Sequence, residues 1–348
     1  MKYSGYIGTY TKGDSKGIYS FTLDTDAKKL SEPVVAAEIG SPTYLNLSKD
    51  NRFVYAIGKD GEAGGLVAYS RNEKTGELTE LNRQLREGAS PCHVSVDSSN
   101  RFVVSANYHN GTIESHEMDV ISGTLSSALS IRKHEGSGPN EERQDAPHAH
   151  YAGFTPDEKY VAAIDLGTDK LYTYELNDGE LYEVHSLHLK RGSGPRHLTF
   201  HPNGKIAYLL TELSNEVVVL DYKEDGSFTE IEYISTLPED FTENSQGSAI
   251  HISSDGQFVY AGNRGHDSIA VFKTDSDTGK LTFVERTSTE GNWPRDFALD
   301  PTENFLIASN QESSSLILFE RNRETGKLSL LQSDVHVPYP VCVKFLNQ

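Results

Sequence analysis

The chain of 348 residues is 36% hydrophobic and carries a formal net charge of −19 at pH 7. This charge argues against a general binder of nucleic acids or anionic membranes, although a local cluster of Arg and His can still hold a small anion. No apolar segment approaches the length of a membrane span, and the first ten residues alternate like a strand instead of forming a signal-peptide core. We therefore expect a cytoplasmic protein with no membrane, nucleic-acid or obligate protein partner.

The residue types favour strands and tight turns over helices. Tyrosine and phenylalanine are frequent, and the chain contains 29 glycines. Its only cysteines, Cys92 and Cys342, are too few for a disulfide framework. Both thiols are predicted to be small core residues.

The chain is built from a repeat. Seven segments share one plan: a short strand, a turn, a second strand, a polar gap, a third strand, a hairpin turn and a fourth strand. The segments follow one another at intervals of roughly 50 residues, and they begin near Pro42, Pro91, Pro147, Pro195, Ser248, Pro294 and Pro340. The short piece after the last of these points completes one more unit when it is joined to the N-terminal piece.

This arithmetic predicts an all-β fold, a seven-bladed β-propeller with four antiparallel strands per blade. We expect residues 1–348 to form a single domain. Residues 339–348 are expected to complete one blade together with residues 1–40. Pairing the N- and C-terminal strands in this way closes the ring and leaves no fully exposed blade edge.

The last hairpin turn of each unit supports this division. Five of these turns contain a glycine, at Gly76, Gly123, Gly226, Gly279 and Gly326. Glycine suits the left-handed position of a short hairpin loop. The acidic turn Asp275–Gly279 is read in the same way, because it lacks the downstream Glu of a calcium-binding loop.

Residues 136–150 interrupt the repeat and give the first indication of a functional site. This stretch contains glycine turns, the pair Arg143–Gln144 and the histidines His148 and His150. Glycine and proline at its start favour irregular backbone. It also makes the interval between two units the longest in the chain.

The first strand of each unit lines the channel of a propeller, so these strands can be aligned on the last apolar residue before the turn. Four residues before that point lie His150, Arg196 and Arg295, in three different units. They are predicted to lie at one level of the channel. Because side chains two apart on a strand share a face, His148 is expected to project near His150.

The ends of the second strands provide another layer of polar residues. Asparagine recurs there, at Asn107, Asn263 and Asn310, which favours a turn-forming role. Glu212 and Arg264 break the pattern with a charge and are better functional candidates. Asp165 occupies the corresponding place in another unit.

Common catalytic and nucleotide-binding motifs are missing from the sequence. There is no G-x-S-x-G, no Walker loop and no G-x-G-x-x-G. His148 and His150 could share a metal ion, but no third ligand lies at a telling spacing. We therefore predict neither a metal site nor a cofactor.

Several motifs in order resemble the seven-bladed propeller lactonases, over essentially the whole chain. The motifs are Tyr6–Thr11, Gly17–Tyr19, Gly138-Pro139, Arg143-Gln144, Pro147–His150, Asp165–Asp169, Gly194–His197 and Gly262–Gly265. The resemblance implies 6-phosphogluconolactonase activity, as in the bacterial branch, whereas a fungal relative cyclises carboxymuconate. It also implies an active site of His150, Arg196, Glu212 and Arg264, with His148 as the alternative to His150.

The chemistry expected from this resemblance is hydrolysis of a small anionic sugar lactone. Glu212 or His150 would be the general base, and Arg196 and Arg264 would stabilise the oxyanion. The phosphate would be held by Arg143, Arg295 or His148, and the other predicted substrate contacts are Gln144, His197 and Asp165. A cycloisomerase acting on a dicarboxylate and a non-enzymatic binding scaffold remain the competing hypotheses.

Overall fold

A computed structural model describes all 348 residues, and they form 29 strands and no helix. The first half of the chain contains β1 (Lys2–Thr9), β2 (Gly17–Asp24), β3 (Lys29–Leu30), β4 (Val34–Glu38), β5 (Leu45–Leu47), β6 (Phe53–Asp60), β7 (Ala63–Arg71), β8 (Leu78–Glu87), β9 (His93–Val96), β10 (Phe102–Asn107), β11 (Thr112–Glu117), β12 (Ser130–Lys133), β13 (Ala149–Phe154), β14 (Tyr160–Asp165) and β15 (Lys170–Asn177). The second half contains β16 (Glu180–His188), β17 (Pro195–Phe200), β18 (Ile206–Thr211), β19 (Glu216–Tyr222), β20 (Phe228–Ser235), β21 (Gln246–Ile252), β22 (Phe258–Arg264), β23 (Ser268–Thr274), β24 (Leu281–Ser288), β25 (Pro294–Leu299), β26 (Phe305–Asn310), β27 (Ser315–Arg321), β28 (Leu328–His336) and β29 (Pro340–Phe345). No helix exists that could span a bilayer.

The strands form seven separate antiparallel sheets, which we call blades 1 to 7. Blade 1 has the order β29-β1-β2, with β3 and β4 both paired to β2. Blades 2 to 7 each contain four strands that pair in chain order, from β5–β8 in blade 2 to β25–β28 in blade 7. The first strands of neighbouring blades contact one another around the axis. The predicted seven-bladed propeller is confirmed.

The ring is closed by the two chain ends. Strand β1 pairs with β29 in antiparallel register from Gly5 opposite Phe345 to Thr9 opposite Pro340. The innermost strand of blade 1 therefore comes from the C-terminus, and the other strands come from the N-terminus. This is the predicted closure, and it supplies blade 1 with its innermost strand.

Burial follows the position of each strand in its blade. The second strand of blade 5, β18, is buried at every residue, whereas its outer strand β20 is mostly exposed or half-buried. Middle strands are covered on both faces by neighbouring blades, so their sequences are nearly continuous apolar runs. The hydrophobic core is accordingly divided into clusters between adjacent blades, such as the one that joins Tyr208 in blade 5 to Val259 in blade 6.

The predicted glycine turns hold neighbouring blades together. The five glycines named above have φ between 71° and 87°, the left-handed conformation that glycine adopts without strain. In four of these turns the glycine carbonyl accepts a hydrogen bond of 2.9 Å from a tyrosine hydroxyl of the preceding blade. The pairs are Tyr6 with Gly76, Tyr55 with Gly123, Tyr208 with Gly279, and Tyr260 with Gly326.

Candidate active site

One end of the axial channel widens into a cavity of about 540 Å³ to which all seven blades contribute. Its wall consists of residues that begin the first strands and residues that follow the second strands. The volume lies within the usual range for small-molecule sites. The lining includes Arg143, His150, Arg196, His197, Glu212, Arg264 and Arg295 from the predicted site.

Three of these side chains enter the cavity because of a backbone irregularity. The first strands of blades 4, 5 and 7 each contain a β-bulge, and the extra residues are His150, Arg196 and Arg295, respectively. In each case the residues before and after the extra one pair with two consecutive residues of the second strand. A bulge turns the side chain away from the alternation of the strand. The structure thus places all three at the cavity, as the alignment of the first strands predicted.

The same bulge removes His148 from the cavity wall. His148 stacks on Tyr108, with ring centroids 4.2 Å apart, and its Nδ1 lies 3.0 Å from the Tyr108 carbonyl oxygen. Its Nε2 lies 3.1 Å from a carboxylate oxygen of Asp145. The expectation that His148 shares a face with His150 is wrong, because strict alternation does not hold across the bulge. The structure does not support a phosphate contact by His148.

Gln144 and Asp165 also lie outside the cavity lining, which corrects their prediction as substrate contacts. The Gln144 amide is fully buried and donates to the Leu166 carbonyl at 2.8 Å and to Asp169 at 2.7 Å. Asp165 accepts from the backbone N–H of His148 at 2.9 Å and lies 2.6 Å from His134 Nδ1. Both side chains fix the 136–150 segment to blade 4, and this segment presents Arg143 to the cavity.

Glu212 is the centre of the site. One of its carboxylate oxygens accepts from Arg196 Nε at 3.1 Å and from Arg264 Nη2 at 2.7 Å. The other oxygen accepts a hydrogen bond from Arg143. The side chains of Glu212, Arg196 and Arg264 are each 3% exposed, whereas that of Arg143 is 27% exposed. Three distant parts of the chain therefore converge on one buried carboxylate.

The two buried guanidinium groups are fixed by further contacts. Arg196 Nη1 donates to the Ser248 carbonyl, and Arg264 Nη2 donates to the Gly247 carbonyl at 2.7 Å. Arg264 also lies over the Trp293 ring, 5.6 Å from its centroid. Arg196 Nη2 and Arg264 Nη1 make no hydrogen bond within the protein, which leaves donors for a ligand in the cavity.

The charges around Glu212 keep it ionised. Burial alone raises the pKa of a carboxyl group, but the positive charges of Arg264 and Arg196 outweigh this effect and hold the pKa of Glu212 far below its ordinary value. Both of its oxygens are already occupied by guanidinium donors. Glu212 is consequently a poor proton acceptor at neutral pH.

His150 has the opposite character. Burial, followed by the positive charge of Arg196, lowers its pKa well below 6.5, so the imidazole is neutral at pH 7. Its Nδ1 is buried without a hydrogen-bond partner. His197 lies edge-on to it with ring centroids 5.2 Å apart, and burial likewise lowers the pKa of His197. His150 therefore has a ring nitrogen with no partner, whereas both oxygens of Glu212 are already occupied by guanidinium donors.

Rings that the sequence did not single out pack against the cavity-lining residues Tyr44 and His197. His93 packs between Tyr44 and Tyr151, with centroid distances of 4.4 Å and 4.5 Å, and lies 5.4 Å from His197. These rings fill the channel below the cavity. No group of three or more His, Cys, Asp or Glu side chains is arranged to hold a metal ion.

Three wall residues were missed although a signal for them existed. The alignment that selected His150 also selects Cys92 in blade 3, Thr43 in blade 2 and Val341 in blade 1, and all three line the cavity. Cys342 is fully buried as predicted, but Cys92 is only half-buried and is not a core residue. Burial raises the pKa of the Cys92 thiol to about 12, so the thiol is protonated at neutral pH.

Comparison with known proteins agrees with this architecture. A family model described as "Lactonase, 7-bladed beta-propeller" matches residues 4–345. The curated 6-phosphogluconolactonase of Bacillus subtilis (strain 168) is 59% identical over 348 residues, which is 100% of this chain and 99% of that protein. A crystal structure of a protein from Lactobacillus plantarum is 42% identical, with a TM-score of 0.96 and 100% of both chains covered.

A further solved structure, the periplasmic gluconolactonase PpgL of Pseudomonas aeruginosa, is 29% identical to the chain. It superimposes with a TM-score of 0.90 and covers 99% of both chains. The relatives thus include a protein named for the phosphorylated lactone and one named for gluconolactone. The chain belongs to the seven-bladed β-propeller lactonase family.

Proposed function

We propose that this protein hydrolyses 6-phospho-D-glucono-1,5-lactone to 6-phosphogluconate, the second step of the oxidative pentose phosphate route. The observation that carries the proposal is the cavity itself, in which guanidinium groups and a neutral imidazole surround a space of about 540 Å³. The full-length similarity to a 6-phosphogluconolactonase supports the choice of substrate.

The lactone carbonyl is expected to bind next to Arg196 and Arg264. Attack of water on this carbonyl places a negative charge on its oxygen, and the free guanidinium nitrogens of both residues can donate to that oxygen. Fixed donors that stabilise an oxyanion typically contribute about 10² to 10³ in rate each. Because both groups are already oriented by Glu212 and by backbone carbonyls, little reorganisation is needed during the reaction.

His150 is the general base in this proposal. Its neutral imidazole takes a proton from water as the oxygen of that water bonds to the lactone carbonyl carbon. When the tetrahedral intermediate collapses, the bond between that carbon and the ring oxygen breaks, and the imidazolium returns the proton to the ring oxygen. The product is the open-chain acid, and one water molecule is consumed.

Glu212 acts as a positioning residue in this scheme. It balances the charge of three guanidinium groups and holds them in one orientation. A general-base role would require it to give up at least one of these donors and to accept a proton at a pKa far below the ordinary value. The sequence left Glu212 and His150 as alternatives, and the geometry favours His150.

Replacing Arg196 tests the proposal. We expect Arg196→Ala to lower kcat/KM by about 10² to 10³, because an oxyanion donor is lost. The measurement is acid release in a pH-stat, corrected for spontaneous opening of the lactone, with Arg191→Ala as a control because Arg191 is exposed in the loop before the same strand.

Full activity of Arg196→Ala above the spontaneous rate would show that the site has been assigned wrongly. Assays of the wild-type protein with carboxymuconate and with phosphogluconolactone separate the hydrolase from a cycloisomerase. A protein that turns over neither substrate would be a binding scaffold, and the proposed function would fail.

A further inference from the structure

The cations of the cavity fall into two groups that differ in their pairing. On the side of blades 4, 5 and 6, Arg143, Arg196 and Arg264 are all bound to Glu212. On the side of blades 7, 1 and 2, Arg295 and Lys59 line the same cavity, and neither has a carboxylate within ion-pair distance.

From this difference we propose that Arg295 and Lys59 bind the phosphate of the substrate and set the preference for a phosphorylated over an unphosphorylated lactone. The inference rests on the proposed function and names the residues that would bind the phosphate end of the substrate. Arg295 is half-buried in the wall of a cavity that also contains Arg196 and Arg264, and this concentration of positive charge favours an anionic ligand. A guanidinium and an ammonium group are both suitable donors for a phosphate.

The nearest carboxylate in sequence is not available to Arg295. Asp296 is 3% exposed, and one of its oxygens accepts from the Val343 backbone N–H at 2.8 Å. Its other oxygen faces His251 at 3.8 Å. Asp296 is therefore committed to the contact between blades 7 and 1, and the charge of Arg295 remains free for a ligand.

The two cations belong to one rim. Arg295 lies over Tyr10 of blade 1, 5.6 Å from the ring centroid, and Tyr10 lines the cavity between blades 7 and 2. The backbone N–H of Lys59 donates to Gly40 at 2.8 Å, directly before Ser41, which also lines the cavity. The Ser41 hydroxyl lies 3.3 Å from that of Thr11, the residue after Tyr10.

Two cavity-lining residues of this rim have a left-handed backbone. Ser41 has φ 44° and Trp293 has φ 65°, and each directly precedes a proline. The equivalent residue of blade 5 is Gly194, with φ 57°, which adopts this conformation without a side-chain penalty. Left-handed non-glycine residues often occur at ligand-binding sites.

The substrate carries its phosphate and its reacting carbonyl at different positions. The phosphate of 6-phosphogluconolactone is several bonds away from the carbonyl carbon that reacts at Arg196 and His150. A contact at the blade 7–1–2 rim can therefore hold the phosphate without touching the reacting atoms. Arg143 is predicted to act on both lactones alike, because it acts through Glu212.

The test is kcat/KM on phosphogluconolactone and on gluconolactone, measured in a pH-stat for Arg295→Ala, Lys59→Ala and the double variant. Hydrogen bonds to charged groups are worth about 1.5–3 kcal/mol, so each single variant should lower the ratio of the two values roughly 10- to 100-fold. Activity on gluconolactone should fall less than activity on phosphogluconolactone, because gluconolactone has no phosphate to lose contact with. Arg295→Lys should keep most of the preference, which shows that the fold is intact.

Two further variants serve as comparisons. Lys205→Ala, which removes an exposed lysine from an outer turn of blade 5, should leave the ratio unchanged. Arg143→Ala should lower activity on both lactones in the same proportion. An unchanged ratio in the double variant, or a larger fall of the ratio in Arg143→Ala, would overturn the inference.

Binding of inorganic phosphate separates this inference from the proposed function. Calorimetry should show phosphate binding to the wild-type protein and at least tenfold weaker binding to the double variant. If the wild-type protein opens neither lactone, the proposed function fails, and this titration alone decides the phosphate site. Equal phosphate binding by both proteins would refute it.

Discussion

Two rings of residues can be compared in this propeller: an outer ring of hydrogen bonds between neighbouring blades, and an inner ring of residues on the first strands. At six of the seven contacts between blades, a hydroxyl of one blade donates to the carbonyl of a turn glycine in the next. The six pairs are Tyr6–Gly76, Tyr55–Gly123, Ser115–Gly179, Thr173–Gly226, Tyr208–Gly279 and Tyr260–Gly326. The seventh contact, where the chain ends meet, instead uses the Gln332 side chain as an acceptor for the Leu30 N–H at 2.8 Å.

The ring that faces the cavity is equally regular in position but not in chemistry. Four residues before the last apolar residue of each first strand lie Thr43, Cys92, His150, Arg196, Ser248, Arg295 and Val341. The outer ring thus repeats one acceptor, the carbonyl of a turn glycine, with its donor on the second strand in four blades and on the third strand in two. The inner ring carries six residue types at seven places. Packing between blades keeps the repeat, and the cavity is the place where the repeat diverges to produce a site.

The largest effect is expected from replacing Glu212, which holds Arg196 of the inner ring in place. Glu212→Gln removes the charge that balances three guanidinium groups, two of which are buried. Removing one partner of a buried ion pair typically costs about 3–5 kcal/mol in unfolding free energy. We also expect kcat/KM to fall by at least about 10², because Arg196 and Arg264 lose their orientation.

Denaturant unfolding and the pH-stat assay measure these two effects separately. Glu216→Gln is the matched control, because Glu216 lies on the same blade and pairs only with the exposed Lys190. Sulfate should restore part of the stability of Glu212→Gln by supplying negative charge to the guanidinium groups that face the cavity. A variant with wild-type stability and activity would contradict the central role of Glu212.

The second largest effect is expected from acid, which should lower the unfolding free energy. Burial lowers the pKa of His93, His150 and His197 well below 6.5, assisted by the positive charge of Lys344 for the first and of Arg196 for the others. Below pH 6.5 the unfolded chain therefore binds protons that the native protein does not. The unfolding free energy should fall by up to about 1.4 kcal/mol per pH unit for each histidine.

Glu212 adds to this trend at lower pH. Its pKa in the folded protein lies far below 4.5, so the stability it contributes above pH 4.5 is lost as the pH falls further.

Denaturant unfolding between pH 7.5 and 5 checks the histidine effect. His93→Gln should make the slope shallower, whereas His188→Gln, which changes an exposed histidine, should not. A slope that does not respond to His93→Gln would show that this histidine is protonated in the fold.

The two rings also differ in how far the sequence determines them. The glycine turns and the intervals between units are local signals, so the blade count, the strand order and the closure by the chain ends could all be predicted. The residues His150, Arg196 and Arg295 could be found because the same bulge recurs in their three blades, so that counting back from the turn reaches the same position in each. Applying the same alignment to every blade also identifies Cys92 and Thr43.

The remaining features of the site depend on contacts that no spacing encodes. The bulge that separates His148 from the cavity is a change of register, and alternation along the strand cannot reveal it. Gln144 looked like a ligand contact because it is polar and next to Arg143, but it is buried against Leu166 and Asp169. Which cation pairs with Glu212, and which remains free, depends on blades that are far apart in the chain.

The smallest expected effect lies in the outer ring, where each hydrogen bond is one of several equivalent ones. Tyr208→Phe removes the donor to the Gly279 carbonyl but keeps the ring in the core, and it should cost about 0.5–1.5 kcal/mol in unfolding free energy. Tyr69→Phe is the matched control, because the Tyr69 hydroxyl is buried without a partner and its removal should be neutral or stabilising. Both variants should keep wild-type kcat/KM, since neither residue lines the cavity. If Tyr208→Phe lowered activity while leaving stability unchanged, the division between a structural outer ring and a functional inner ring would not hold.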